Sequence, residues 1–153
     1  MKDTEDFLKQ AIELAYQNSE KGGRPFGAVL VKDDEVIATG VNQILTTNDP
    51  TAHAELLAIR AASQHLGTAN LAGCTVFASG QPCPMCMAAM RMAGVTSVYY
   101  AHSNADGEQY GLSTAAIYAD LALPFAEQTM NIQYVPVRIE HKTNLYAFWK
   151  SLT

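Results

Sequence analysis

Long apolar segments are the feature that this sequence most clearly lacks. No apolar run approaches the roughly 18 residues that a membrane-spanning helix requires, although 48% of the 153 residues are hydrophobic. The opening residues, MKDTEDFLKQ, are too acidic for a secretory signal peptide and too poor in arginine for a transit peptide. The cytoplasm is therefore the expected location.

Basic residues are few and scattered. The chain has ten Lys and Arg residues against fifteen Asp and Glu residues, which gives a formal net charge of −5. Nowhere in the sequence do three or more basic residues cluster. A protein that holds nucleic acid through its phosphates needs a cationic surface. The composition therefore argues against a long polynucleotide and favours a small-molecule partner.

Cysteine is also scarce, with three residues in the chain. Two of them, Cys83 and Cys86, are close together. Because disulfides are uncommon in cytosolic proteins, a close pair there more often marks a metal or redox site. Cys74 begins a short apolar run and is expected to be a small, buried hydrophobic residue.

Repeats, low-complexity tracts and linkers are absent, so we predict a single domain over residues 1–153. Capping signals, apolar periodicity and turn residues predict alternating helices and strands. The predicted helices span residues 4–22, 49–67, 84–93, 113–121 and 143–150, and the predicted strands span residues 27–31, 36–41, 74–78, 95–101 and 132–137. An opening hairpin followed by this alternation predicts a three-layer α/β/α sandwich around a mixed five-stranded sheet.

A candidate metal site combines His53 with Cys83 and Cys86, about thirty residues further along the chain. One imidazole and two thiolates suit Zn²⁺, and three protein ligands leave its fourth position for water, as in catalytic zinc sites. All three residues fall in the first turns of predicted helices, where the partial positive charge favours thiolate over thiol. The alternatives are a structural zinc, for which no fourth ligand lies at suitable spacing, and buried thiols.

Glu55 follows His53 by two residues and is the candidate proton shuttle. Residues two apart point roughly 200° from each other on a helix, so both can serve one site only over the helix end. The predicted start at Asp49 and Pro50 allows this. Glu55 would take a proton from the attacking water and deliver it to the reacting groups of the substrate. The alternative is an ordinary acid interacting with the helix dipole.

The combined pattern His-x-Glu and Pro-Cys-x-x-Cys resembles the signature of zinc-dependent nucleobase and nucleoside deaminases. The chain is similar to the cytidine deaminase-like superfamily, and most closely to its guanine deaminases, in residues 25–29, 48–55 and 82–86. The resemblance implies a cytidine deaminase-like fold, Zn²⁺ as the cofactor, and hydrolytic deamination of a free nucleobase or nucleoside. The preferred reaction is guanine to xanthine plus ammonia.

Three substrate-binding residues follow from the same resemblance. It implies that Asn42 reads the purine ring, that Phe26 stacks on it, and that Ala54 lines the same pocket. The alternatives are that Asn42 is a turn residue at the end of a strand and that Phe26 belongs to the core.

Two positions depart from the guanine deaminase pattern. The residue before Pro-Cys, usually Glu, is Gln81, and the position that supplies an aspartate to the substrate aligns with Thr114. If guanine is the substrate, another group must replace this acid, and Asp106 and Glu108 are the nearest candidates in the sequence.

Other activities remain open at this point. They are tRNA adenosine deamination, deamination of a cytosine-type or other amino-heterocycle, and a role as an inactive zinc-fold scaffold. The tail contains Tyr146, Phe148 and Trp149 and is only weakly basic, which argues against tRNA. Intact Glu55 argues against an inactive scaffold. The resemblance also implies a homodimer in which residues 141–153 cross to the partner and close its active site.

Overall fold

A computed structural model describes residues 3–153 of the chain. In these residues, two 3-10 turns lie at Glu108–Tyr110 and Phe125–Glu127. The longer elements, in chain order, are α1 (Thr4–Glu20), β1 (Gly27–Lys32), β2 (Glu35–Val41), α2 (Ile44–Thr47), α3 (Ala54–Leu66), β3 (Cys74–Gly80), α4 (Pro84–Ala93), β4 (Ser97–His102), α5 (Asn104–Gly107), α6 (Ala115–Leu121) and α7 (Leu145–Ser151).

The sheet is mixed, as predicted. Within residues 3–153 it has four strands in the order β2-β1-β3-β4. β1 runs antiparallel to both β2 and β3, whereas β3 and β4 are parallel. β1 and β3 occupy the centre, and most of their side chains are buried. The predicted arrangement of helices packed on a mixed sheet is confirmed.

The prediction of a fifth strand at residues 132–137 is wrong. Residues 131–139 have no regular secondary structure, and side chains such as those of Tyr134 and Val137 are exposed. Alternating apolar residues give a segment the capacity to be a strand, but a strand forms only when its backbone groups find a partner. Among the described residues, none pairs with this segment in a ladder.

Two glycines allow helices to approach the sheet closely on opposite faces. A Cβ atom on Gly27 would lie 2.4 Å from the Ala11 carbonyl oxygen of α1, and one on Gly40 would lie 2.2 Å from the Ala54 carbonyl oxygen of α3. Gly40 pairs with Ala28, the residue next to Gly27. Since neighbouring residues of a strand face opposite sides, α1 and α3 cover different faces. The start of α3 is thereby fixed against β2.

The main hydrophobic core lies where α3 and α4 meet the sheet. Its buried members are Ala28, Leu30, Ala54, Ala58, Ala62, Leu71, Cys74, Val76, Cys83, Cys86 and Met90. A smaller cluster, in which Phe7 of α1 packs on Phe77 of β3 with ring centroids 4.9 Å apart, lies on the α1 side. Cys74 is buried and free, as predicted.

The chain separates into two compact units, one ending at Ala119 and the other comprising Asp120–Thr153. The first contains the whole sheet. In the second, the Asp120 carboxylate accepts hydrogen bonds from the Thr129 backbone N–H and hydroxyl, and Asn144 caps α7. The prediction of one domain stays a prediction. In the part of the chain that the structure describes, no helix is long and apolar enough to cross a membrane.

Candidate active site

Two helix starts bring the predicted metal ligands together. His53 is the N-cap of α3 and Cys83 is the N-cap of α4, both with extended backbone. Cys86 is the third residue of α4 and therefore lies about one turn beyond Cys83. Loops lead into both helices at the edge of the core, so the three side chains converge from separate parts of the sequence.

The predicted start of α3 at residues 49–50 is wrong, because the helix begins at Ala54. The Asp49 carboxylate instead accepts hydrogen bonds from the Thr51 backbone N–H at 2.8 Å and from the Thr51 hydroxyl at 2.7 Å. An aspartate that closes such a turn on its own backbone competes with helix formation. His53 is therefore a cap residue rather than a residue of the first turn.

The geometry of the three ligands fits zinc. The His53 Nδ1 atom lies 3.4 Å from the Cys83 Sγ atom and 3.6 Å from the Cys86 Sγ atom, and the two sulfurs are 3.6 Å apart. In tetrahedral coordination with ordinary Zn–S and Zn–N bonds, these separations would be about 3.6–3.8 Å. The described residues supply no fourth His, Cys, Asp or Glu ligand to this group. The arrangement is that of a catalytic rather than a structural site.

The protonation states of the candidate ligands also suit a bound cation. A hydrogen bond with Cys86 is the main cause that lowers the pKa of Cys83 to about 4, and His53 contributes to the same shift. The hydrogen bond with Cys83 in turn raises the pKa of His53. The same pairing with Cys83, together with burial, raises the pKa of Cys86. Cys83 therefore provides a thiolate at neutral pH, which is the form that binds metal.

Glu55 lies beside this group as the second residue of α3. Its side chain is 6% exposed, and burial raises the pKa of its carboxyl group. It borders the same cavity as His53 and Cys83. Burial therefore makes the protonated form of Glu55 easier to reach, which suits a group that must accept a proton and release it again.

The cavity over these residues has a volume of about 180 Å³. This is below the approximately 300–1,000 Å³ typical of pockets for drug-sized ligands, so the cavity suits a small ring. Its lining includes Phe26, Asn42, Ala54 and Glu55, the four residues predicted to bind or act on the substrate. Phe26 packs over Gly80, where a Cβ atom would lie 3.1 Å from its ring.

Two amides in the lining are held in one orientation. The Ile44 backbone N–H donates to Asn42 Oδ1 at 3.1 Å, and the Asn104 backbone N–H donates to Gln81 Oε1 at 2.8 Å. A backbone N–H can only donate, so each oxygen must face it. The opposite ends, the Asn42 Nδ2 and Gln81 Nε2 groups, have no hydrogen-bond partner among the described residues and are free to donate to a ligand.

Asn104 also fixes a second part of the cavity wall. Its Oδ1 atom accepts hydrogen bonds from the Thr114 backbone N–H at 3.1 Å and from the Thr114 hydroxyl at 3.4 Å. Thr114 lines the cavity together with residues 111–113. The position aligned with the missing aspartate is thus at the cavity, but it carries a hydroxyl group.

The structure brings neither Asp106 nor Glu108 to this cavity. Asp106 accepts a hydrogen bond from the Ser103 backbone N–H at 2.8 Å, and hydrogen bonds with Ser103 lower the pKa of its carboxyl group. The Asp106 carboxylate therefore takes part in the N-terminal capping of α5. In the described part of the chain, Glu55 is the single acid among the lining residues. The lining of this cavity gives no support to the suggestion that one of these two acids replaces the missing aspartate.

Comparison with known proteins agrees with this geometry. Residues 1–102 match the model of the cytidine and deoxycytidylate deaminase zinc-binding region. The chain belongs to this deaminase family. It is a zinc-dependent hydrolytic deaminase, and His53, Cys83 and Cys86 are the residues that would hold the metal. When bound, zinc lowers the pKa of a water molecule and so supplies the nucleophile that attacks the amino-bearing carbon.

The relatives of this deaminase include enzymes acting on bases and on tRNA. It is 40% identical to a guanine deaminase of Bacillus subtilis (strain 168) over 96% of this chain and 94% of the relative. It is 34% identical to a tRNA-specific adenosine deaminase of Aquifex aeolicus (strain VF5), covering 97% and 95% of the two chains. The X-ray structure of guanine deaminase from Bacillus subtilis matches with a TM-score of 0.87 and 39% identity, covering 98% of this chain and 95% of that one.

Sequence reasoning missed one residue of the deaminase's cavity entirely. Arg24 lines the opening, although it lies just outside the first stretch that resembles the family, residues 25–29. A single arginine in a loop carries no local signal that separates a pocket residue from a solvated one. The cavity position of Gln81 was also not predicted, although the residue itself was noted as a departure from the family.

Proposed function

We propose that this deaminase converts guanine and water to xanthine and ammonia. The observation that carries the proposal is the similarity to a guanine deaminase, which extends over nearly the full length of both chains at 40% identity. The size of the cavity supports a free base rather than a larger substrate.

The polar lining agrees with guanine. The free ends of Asn42 and Gln81 are hydrogen-bond donors, and guanine presents the acceptors N3, O6 and N7. Phe26 provides an apolar ring surface for the flat base. A site whose amides offer donors favours an acceptor-rich ring, because mismatched polar groups would stay unpaired on binding.

Glu55 would move the protons of the reaction. The water oxygen forms a bond to C2 of guanine and the bond from C2 to the amino nitrogen breaks. Glu55 accepts one proton of the water and passes it to a ring nitrogen. It then takes the second proton from the hydroxyl group now on C2 and gives it to the leaving amino group, so that a carbonyl group forms at C2 and the amino group departs as ammonia. Burial of Glu55 keeps bulk water from competing for these protons.

An ammonia-release panel tests the proposal. The purified, zinc-loaded protein is assayed with guanine, adenine, cytosine, their nucleosides and aminotriazines. Guanine should give the highest kcat/KM of the panel, with xanthine as the product identified by chromatography. A different base turned over faster than guanine would contradict the assignment while leaving the deaminase chemistry in place.

A tRNA adenosine deaminase is the second candidate, because a relative of that name is 34% identical over almost the whole chain. The net charge of −5 argues against it, since an anticodon loop must be held through its phosphates. Formation of inosine in a tRNA stem-loop, at a rate above that of guanine turnover, would reverse the order of the two candidates.

We further propose that the protein is a homodimer whose C-terminal segment, residues 141–153, closes the partner's active site. Leu145, Tyr146, Phe148 and Trp149 are exposed in the single chain, and exposed aromatic side chains at this density favour contact with another surface. A closed site excludes water and strengthens the interactions with the substrate. The cytoplasmic location also stays a prediction from the sequence.

A further inference from the structure

Arg24 lies in the loop between α1 and β1, and its backbone is firmly anchored. The Asn18 Nδ2 group donates to the Arg24 carbonyl oxygen at 2.8 Å and to the Asn42 carbonyl oxygen at 2.9 Å. The Phe26 backbone N–H donates to the same Arg24 oxygen at 2.8 Å. Asn18 thus fixes the Arg24 backbone next to Phe26 and Asn42, so the side chain of Arg24 extends from a defined backbone position.

The Arg24 side chain is exposed but borders the cavity. Within residues 3–153 its guanidinium group has no salt bridge and no hydrogen bond to a protein acceptor. Apart from the metal ligand His53, it is the one side chain among the described lining residues that can carry a positive charge. In a chain of net charge −5, Arg24 therefore offers hydrogen-bond donors beside the active site that no acceptor of the described residues occupies.

The orientation of the substrate follows from burial. The metal ligands Cys83 and Cys86 are 7% and 0% exposed, so the carbon that loses its amino group must lie at the buried end. The opposite edge of the ring then faces the open end of the cavity, and the exposed Arg24 side chain of the lining is available to contact it. In guanine, with C2 at the ligands, that edge carries the two adjacent acceptors O6 and N7.

We infer that Arg24 binds the O6 and N7 atoms of guanine and makes the enzyme selective for this base. The inference rests on the proposed function and adds a residue that reads the substrate. A guanidinium group has paired donors that match O6 and N7 of guanine in a bidentate contact. Adenine attacked at C6 would present N3 at this edge, and cytosine attacked at C4 would present O2, each a single acceptor.

A double-substitution cycle tests this contact. Wild-type enzyme and Arg24→Ala are assayed with guanine and with 7-deazaguanine, in which a C–H group replaces N7. The wild type should prefer guanine by about tenfold or more in kcat/KM, since a good bidentate pair discriminates by roughly one to two orders of magnitude. In Arg24→Ala, kcat/KM for guanine should fall by about that factor, mostly because KM rises. The preference of this variant for guanine over 7-deazaguanine should fall towards one.

Binding provides a readout independent of turnover. Calorimetric titration of guanine and 7-deazaguanine into zinc-loaded Glu55→Gln protein, with and without Arg24→Ala, gives the Kd of each base. Arg24→Ala should reduce the preference for guanine in Kd by the same factor as in kcat/KM. Arg24→Lys should recover part of the affinity, because a single ammonium group cannot make the paired contact. Lys21→Ala is the matched control, since Lys21 is an exposed cation of the same loop, and it should leave both substrates unchanged.

The outcomes separate the inference from the function on which it rests. Guanine turnover with the same preference over 7-deazaguanine in wild type and Arg24→Ala would overturn the role of Arg24 and leave guanine as the substrate. A wild type that does not deaminate guanine would overturn both. Zinc content and thermal melting of Arg24→Ala should match the wild type, because the side chain is exposed.

Discussion

At the scale of single residues, the candidate active site consists of three metal ligands and one candidate proton shuttle. His53, Cys83 and Cys86 present one nitrogen and two sulfurs at separations of 3.4–3.6 Å, and Glu55 lies beside them in a buried position. His53 and Glu55 are two residues apart in the sequence. Both can face the same site because α3 starts between them. A metal ligand therefore comes from the N-cap of α3 and the proposed proton shuttle from its first turn.

Removal of the Glu55 carboxylate should separate catalysis from metal binding. Glu55→Gln should keep the fold and about one zinc per chain, because the residue does not ligate, while kcat falls by about 10²–10⁴-fold, the usual contribution of a general acid–base group. Ammonia release and metal analysis on the same sample measure both. Glu13→Gln, at an exposed position of α1, is the control. Turnover near the wild-type rate would mean that another residue moves the protons.

Loss of the thiolates should abolish zinc binding. The double variant Cys83→Ala, Cys86→Ala is expected to contain no zinc after purification and to be inactive, because a single imidazole cannot retain the metal. Cys74→Ala is the matched control: Cys74 is buried and free, but it is not part of the ligand group. Elemental analysis that finds stoichiometric zinc in the double variant would contradict the ligand assignment.

At the scale of elements, the site depends on where two helices begin and on how closely one of them approaches the sheet. The N-caps of α3 and α4 supply His53 and Cys83. Gly40 of β2 leaves the space in which the first turn of α3 packs. The geometry of the site therefore depends on the contact between α3 and β2.

A side chain at Gly40 should disturb both stability and the metal site. The Cβ atom of Gly40→Ala would lie 2.2 Å from a backbone oxygen of α3, so the helix must shift. Overpacking of this kind typically costs about 1–3 kcal/mol, and we expect a lower Tm together with weaker zinc retention against a chelator. Thr39→Ala, the neighbouring position on the opposite face of β2, should retain zinc normally. An unchanged Tm and zinc affinity in Gly40→Ala would refute this coupling.

At the scale of the whole molecule, the unit of residues up to Ala119 contains the sheet, the metal ligands and the cavity. The unit Asp120–Thr153 carries many exposed apolar side chains. The proposed dimer assigns a function to this second unit, because a partner's C-terminal segment would cover the active site.

Mixing two inactive or impaired proteins should test the dimer directly. Deletion of residues 141–153 should leave zinc bound but raise KM and lower kcat. Glu55→Gln has an intact C-terminal segment and no proton shuttle. If the segment closes the partner's site, co-refolded mixtures should be more active than the sum of the two proteins, because mixed dimers regain one complete site.

Light scattering provides the oligomeric state in the same experiment. A monomeric wild type, or a mixture with no gain in activity while mixed dimers are present, would count against the proposal. Should the truncated chain fail to fold, Tyr146→Ala, Phe148→Ala and Trp149→Ala in the full-length chain can replace the deletion.

The sequence alone predicted the metal ligands, Glu55 as the candidate proton shuttle, the order of the main elements and the mixed sheet, because the signals for them are local: cap and turn residues, apolar periodicity and the spacing of Cys83 and Cys86. Only the tertiary structure showed that α3 begins at Ala54, that residues 131–139 enter no described ladder, and that Arg24 borders the cavity. Those features depend on which groups meet across the fold. The turn at Asp49 competes with a helix, a strand needs a partner, and an arginine in a loop lines a site only where the chain folds back upon it.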